Sequence, residues 1–541
     1  MLQVPAIRLS NPVLGKELRT RMRGNRAYWL LFWYVMLLSN TLICAYVTTG
    51  VMHAVNTNVV GADPIGRVLF QVLFVAQAVM LTMITPALTA GMITLEREQR
   101  TFELLMLTML QPREVTAGKL LSAFGFAALL LTASLPLAGI CFMMGGVSPG
   151  EIAAVYLMLA SASLLYGALG LLVSATVRTT VVSTAATYMA VLGIFAVTAA
   201  LAAGGRSTTL FAALNPVTAV FFSLELAPFY HWHVPVWIPS LGINLLAALL
   251  AAAGAVHRLE AGVSERPGAL RWITYAFATA LAICTVGSVL GELPRTTSPD
   301  GPREAAAVLA SQLFVALALL TLFFCSGDAA DIHGEVPVRD APVAPGPLAR
   351  LARSRLFTGG YASGPAYMLL LFLTGAVVMA AGFPLARHPA WVLVAGTILA
   401  ALGVALSGML FWMAMVRFFS IVMGSRLQAG LLAFLTAGVL MVLPLFSLFG
   451  WDASVPQPHR LAWETLYLTP AYAFLALGCT PETWKEAAPP LWAGQSLAWA
   501  ITILLYVALA AIVEGWGQAV RGRQRARHKT RRALSDTQPC G

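Results

Sequence analysis

Long apolar runs recur along this chain, and they decide what it can fold into. Residues 28–49, 68–92, 120–144, 151–175, 180–203, 235–256, 272–291, 305–325, 366–386, 391–416, 428–450 and 492–515 each form one. Inside a bilayer there is no water for the backbone, so a crossing segment must satisfy its own N–H and C=O groups, as a helix does. About twenty helical residues, each rising 1.5 Å, cross the hydrocarbon core. The spacing therefore predicts an all-α polytopic membrane protein of about twelve transmembrane helices. Composition agrees. Only 11% of the residues are charged, against about 25% in a soluble domain. The N-terminus does not read as a cleaved signal, because its basic region is too long and its first apolar run too extended.

The charges between the runs predict orientation. If the N-terminus lies inside, the inside segments hold 27 of the 34 Lys and Arg residues. That asymmetry is the positive-inside pattern and places both termini on the cytoplasmic side. Residues 1–27 form a basic segment in which Lys16, Arg19, Arg23 and Arg26 fall on one helical stripe, opposite Leu14, Leu18 and Met22. This predicts an N-terminal helix lying in the membrane interface. Residues 516–541 form a basic tail, with seven Lys and Arg between Arg521 and Arg532. Adhesion to anionic lipid is the expectation for it. No aromatic residue interleaves the run, so nucleic acid is not expected as a partner.

One inter-span segment stands out. Residues 93–119 read ITLEREQRTFELLMLTMLQPREVTAGK, strongly charged and helix-forming between two apolar runs. Glu96, Arg100 and Glu103 are four and three apart, which puts them on one helical face. Leu95, Phe102, Leu105, Met106 and Met109 fall on the other. The pattern predicts an amphipathic helix of two to three turns. Gln111-Pro112 should end it, and Pro112 should open the next helix. On the residues alone, two readings stand: a loop helix that keeps two spans on one side, or a docking helix for a soluble partner.

A resemblance separates them. Glu96-Arg97-Glu98, Arg100-Thr101-Phe102-Glu103-Leu104-Leu105, Leu107-Thr108, Gln111-Pro112-Arg113-Glu114 and Gly118-Lys119-Leu120 resemble, in that order, the cytoplasmic segment of ABC type-2 permeases. These are the membrane subunits of ATP-binding cassette transporters. Asn11-Pro12-Val13 with Lys16-Glu17-Leu18-Arg19 is similar to the start of many members. Arg100 stands where the family usually has glycine, and Met109 where it often has proline; neither is expected to remove the helix. The resemblance covers residues 11–256 and implies one complete permease unit of six spans over 28–256. It implies an exporter of the bacterial cytoplasmic membrane, driven by a separate ABC ATPase, in two copies, that binds ATP and Mg. The implied ATPase-docking residues are Glu96, Arg97, Glu98, Arg100, Thr101, Phe102, Glu103, Leu104 and Leu105. A second copy of the chain, or a partner permease, would complete the assembly within membrane lipid.

Residues 257–515 read as a second, divergent six-span unit. Leu214-Asn215-Pro216-Val217-Thr218-Ala219 is echoed by Leu468-Thr469-Pro470-Ala471-Tyr472-Ala473 at the matching place, which suggests a degenerate six-plus-six repeat. The charged motif has no counterpart there; the loop 326–365 instead carries acidic residues and then Arg350, Arg353 and Arg355.

The chain carries no phosphate-cradling G-x-x-x-x-G-K-[ST] motif, so no nucleotide, other cofactor or metal is expected on it. His231-Trp232-His233 lacks a convergent third ligand and reads as an interfacial aromatic. The spans hold almost no ionisable residue, which argues against ion-coupled transport. A membrane enzyme acting on a lipid-linked substrate would need acidic residues at an outer loop, and the first such loop offers only Asp63. An ATP-independent channel or scramblase is the other alternative.

Overall fold

The computed structural model describes residues 12–22, 25–55, 65–102, 110–203, 215–217, 226–260, 268–291, 300–325, 363–386, 391–423, 432, 436 and 495–536. Apart from one short hairpin the described elements are helices. They occupy eleven of the twelve predicted spans; the eleventh in order, 428–450, lies outside the described residues but for single positions. Among the described residues, nine helices are long and apolar enough to cross a membrane. The chain divides into two compact units, residues 1–284 and 285–541.

The first unit opens with α1 (Pro12–Met22) and α2 (Asn25–Val55). The helix α3 (Ile65–Thr89) is followed, after a turn, by the short α4 (Thr94–Glu98). The third span is α5 (Pro112–Ala133) with α6 (Leu135–Met143). Then come α7 (Pro149–Thr176), α8 (Thr180–Ala203), α9 (Trp237–Glu260) and α10 (Gly268–Gly291), whose last residues fall past the unit's boundary. Pro112 opens α5, as its fixed φ and missing N–H favour. Ser148 and Glu151 cap α7 reciprocally at 2.8 and 3.2 Å.

Apolar surface gains nothing from leaving lipid, so these helices associate through close packing and polar pairs. The core of the unit joins one stripe of α2 (Tyr34, Leu38, Leu42) to Leu69, Leu73 and Phe74 of α3 and Phe126 and Leu130 of α5. Small residues set the closest approaches. A Cβ on Gly66 would run into the backbone oxygen of Gly145, and one on Gly170 into Thr89 Oγ1. The junction of α5 and α6 is a break at Ser134, just before Pro136. Ser134 Oγ lies there 2.8 Å from Gln77 Nε2, which donates to it, and 2.9 Å from Tyr156 Oη. Side chains thus occupy the place where the helical ladder is interrupted.

A two-stranded hairpin, β1 (Leu226–Phe229) with β2 (Trp232–Pro235), precedes α9. Its two-residue turn has φ +55° at Tyr230, the sign that two-residue hairpin turns require. Burial pushes the Tyr230 phenol up to about 12. It therefore stays protonated and donates to the Ile283 carbonyl at 3.4 Å.

In the second unit, α11 (Asp300–Phe324), α12 (Gly364–Leu385), α13 (Trp391–Met423) and α14 (Gln495–Asp536) pack together. Trp412 donates to the Ala318 carbonyl at 2.9 Å, and Arg417 pairs with Glu514 at 3.0 Å. The basic run after residue 520 is not a separate element: α14 continues through it without a break.

Candidate coupling site

The charged segment lies at one end of the first unit, and its geometry differs from the amphipathic helix that its spacing predicts. α4 is five residues long. Arg100 then takes φ +56° in a turn, and Thr101 and Phe102 that follow are helical again. The left-handed conformation costs a residue with a Cβ about 1–2 kcal/mol, which is why glycine commonly follows a helix end. Arg100 therefore ends the helix. Glu103, Leu104 and Leu105 lie outside the described residues.

The polar face also differs from the one that the spacing predicts. Glu96 and Arg100 do not share it, because Glu96 points inward. Its Oε1 lies 2.7 Å from Lys119 Nζ, and Glu17 Oε1 of α1 lies 3.1 Å from the same nitrogen. Lys119 is only 2% exposed and also reaches the Met92 carbonyl at 3.4 Å. A buried ammonium needs this treatment, since leaving one unpaired costs several kcal/mol or more. Arg97 donates to the Val177 carbonyl at 3.2 Å and lies 5.2 Å from the centre of the Phe102 ring. Glu98 accepts the backbone N–H of Thr180 at 2.7 Å and its hydroxyl at 2.9 Å, which caps α8. Phe102 is half-buried against the cluster of Ile93, Leu171, Ala175 and Ala255. Glu96, Arg97 and Glu98 are thus engaged within the chain, whereas Leu95 (48% exposed), Gln99, Arg100 and Thr101 face outward.

The turn between α3 and α4 is fixed just as heavily. Breaking a helix frees backbone groups, and each must find a partner. Arg21 donates to the Leu88 carbonyl at 2.9 Å, and Ser183 to the Ala90 carbonyl at 2.6 Å. The amides of Ile93 and Thr94 both donate to Ser174 Oγ, at 3.0 and 3.1 Å. Side chains from α1, α5, α7 and α8 therefore hold residues 88–98. α1 does not merely lie in an interface. It packs along α5, with Leu18 against Gly125 and Glu17 on Lys119.

Two residues central to this site, Glu17 and Lys119, were not among the candidates. Both stand within the motifs quoted above, but their sequence spacing of 102 residues gives no sign that they meet. His231 and His233 lie on the hairpin, with the Trp232 ring 4.1 Å from that of His231. Among the described residues no group of three His, Cys, Asp or Glu side chains is placed to hold a metal.

Residues 48–257 match the model of a family described as ABC-2 family transporter protein. That stretch carries an ABC-2 family transporter domain. The matched stretch contains α3 to α8 and nearly all of α9, including the buried Lys119 cluster apart from Glu17. The permease is a multi-pass membrane protein, and the match ends within the first unit. No curated protein matches the chain.

Proposed function

We propose that this permease belongs to an ATP-driven exporter of a bacterial cytoplasmic membrane, powered by a separate ATPase that docks on residues 94–102 and the motif residues that follow. The observation that carries the reading is the fixing of residues 88–98 by side chains from four helices while Leu95, Arg100 and Thr101 stay exposed. These attachments satisfy the backbone groups freed at the turn, and together with the Glu96–Lys119 pair they tie the segment to four helices, as a segment that transmits force would have to be.

In this reading two ATPase subunits, holding ATP and Mg, close and displace α4. The Glu96–Lys119–Glu17 link carries the displacement to α5 and α1, while Ser174 and Glu98 carry it to α7 and α8. Nucleotide thereby biases a membrane domain with two arrangements through differential contact at one segment. The 27-to-7 charge asymmetry supports a cytoplasmic location for this end and for both termini.

The test is co-purification. Tagged permease extracted from its native membranes is expected to bring ATP-hydrolysing activity with it. Leu95→Glu with Arg100→Glu changes exposed side chains, a cost of about 0.5 kcal/mol or less to the fold. At a docking interface the same changes introduce mismatches of several kcal/mol. The double variant is therefore expected to reach normal levels and lose its ATPase, whereas charge reversal at Arg350 and Arg353 should have a smaller effect. Full retention of the ATPase by the 95/100 variant refutes docking at this segment.

A further inference from the structure

The short helix α6 is set off from its neighbours at both ends. Before it comes the break at Ser134 and Pro136. After it, Gly145 and Gly146 take φ +86° and +83°, conformations open to glycine, and the chain turns into α7. Two contacts seat α6 on α3: Gln77 on Ser134, and Gly66 against the backbone of Cys141 and Gly145. Eleven residues separate Gly66 from Gln77, and eleven separate Ser134 from Gly145. α6 therefore lies antiparallel along α3 for about 16 Å. Ala138 and Cys141 face the core, while Leu135, Ile140, Phe142 and Met143 are exposed.

The hydrogen bonds at Ser134 are divided unequally. Its hydroxyl donates to the Leu131 carbonyl at 2.7 Å. Its oxygen is reached by Gln77 Nε2 and Tyr156 Oη. With its one hydrogen given to Leu131, it accepts from both, and a hydroxyl forms no more bonds than these. Tyr34 of α2 faces the same Ser134 and Gln77, yet its buried hydroxyl bonds to neither, and the Gln77 carbonyl oxygen is also buried without a partner. One is a donor and the other an acceptor, side by side in the span. Buried polar groups are costly to leave unpaired, so a second arrangement that joins them competes with the first. We propose that α6 is a hinged segment with two positions, in which Gln77 exchanges Ser134 for Tyr34. When α6 tilts off α3, the Gln77 amide leaves Ser134 and its carbonyl accepts the Tyr34 hydroxyl. Ser134 keeps its bond to Leu131, so no buried donor is orphaned at the hinge. This belongs to the first unit alone and does not rest on the ATPase reading; Leu95→Glu with Arg100→Glu should leave it unchanged.

Two substitutions push the exchange in opposite directions. Ser134→Ala removes the bond of the seated position. Tyr34→Phe, nearly the same shape, removes the bond of the tilted position and the unpaired hydroxyl of the seated one. The full chain in detergent is followed by hydrogen exchange with mass spectrometry. Ser134→Ala should speed deuterium uptake at residues 135–147 about three- to twentyfold, the range one interhelical hydrogen bond supplies in a bilayer. Tyr34→Phe should slow it by a comparable factor and raise the apparent Tm by roughly 2–4 °C. Uptake at residues 120–131 of α5 should change in neither. A static network predicts faster uptake and a lower Tm in both variants, so either result in Tyr34→Phe overturns the proposal. Unchanged uptake at 135–147 in either variant overturns it too. So does an equal change at 120–131, which means general loosening and no hinge at Ser134.

Discussion

Lys119→Met removes the one cation between two carboxylates and should destabilise the first unit strongly. Glu96 lies 2.7 Å and Glu17 3.1 Å from the ammonium, which is 2% exposed. At an effective dielectric of about 20, each contact represents roughly 5–6 kcal/mol of gross attraction. Desolvation of three charges and repulsion between the two carboxylates offset much of this. Removing one partner of such a buried group typically costs about 3–5 kcal/mol, because the remaining charge is left uncompensated. For a domain of this size that corresponds to a fall in apparent Tm of roughly 10 °C. The assay is thermal unfolding of the detergent-solubilised chain, followed by loss of the monodisperse size-exclusion peak. The decisive comparison is the triple variant Glu17→Gln, Lys119→Met, Glu96→Gln, which removes all three charges of the cluster and leaves only Arg21, held by the Leu88 carbonyl, beside it. Neutral replacement of a whole buried ion cluster is often close to neutral in stability, so the triple variant should recover most of the loss. If Lys119→Met unfolds within about 2 °C of the parent, or if the triple variant is no more stable than it, the cluster is not the buried electrostatic joint described here.

Two further outcomes follow from other parts of the fold. Arg100→Gly should raise stability by about 1 kcal/mol in the same unfolding assay, since glycine adopts the positive φ without the Cβ penalty; Arg100→Val should lower it. A periplasmic reporter fused after Gly541 should be silent and one inserted near Pro299 active, and the reverse pattern would overturn the assigned orientation.

The spans were legible because hydrophobicity is a local property: each run carries its own signal, and helices occupy eleven of the twelve predicted positions. The opening of α5 at Pro112 was legible for the same reason, since proline acts on its immediate neighbours. The site was legible as a place but not as a geometry. Helical spacing put Glu96 beside Arg100, yet Lys119, itself also paired with Glu17, pulls Glu96 inward, and neither is near it in sequence. Arg100 is the instructive case. Its departure from the glycine usual in the family reads as harmless to a continuous helix, while the structure breaks the helix at that position with a positive φ. The packing of α1 along α5 was likewise out of reach of its basic stripe, because the two helices lie far apart in the sequence. Periodicity ranks the faces of an isolated helix; a buried ion pair overrides that ranking.

α14 runs unbroken from Gln495 to Asp536, 42 residues. At 1.5 Å per residue that is about 63 Å, roughly twice the thickness of the hydrocarbon core. The basic terminus is thus the far arm of a lever whose near arm is a membrane span, and the distance from mid-span to tip is about 36 Å. A change of tilt of about 10° in the bilayer would sweep the tip sideways by roughly 6 Å, a displacement that a spectroscopic label near the C-terminal end of the helix could read. A flexible tail would absorb that motion within a few residues. A continuous helix delivers it, amplified, to whatever charged surface its arginines meet.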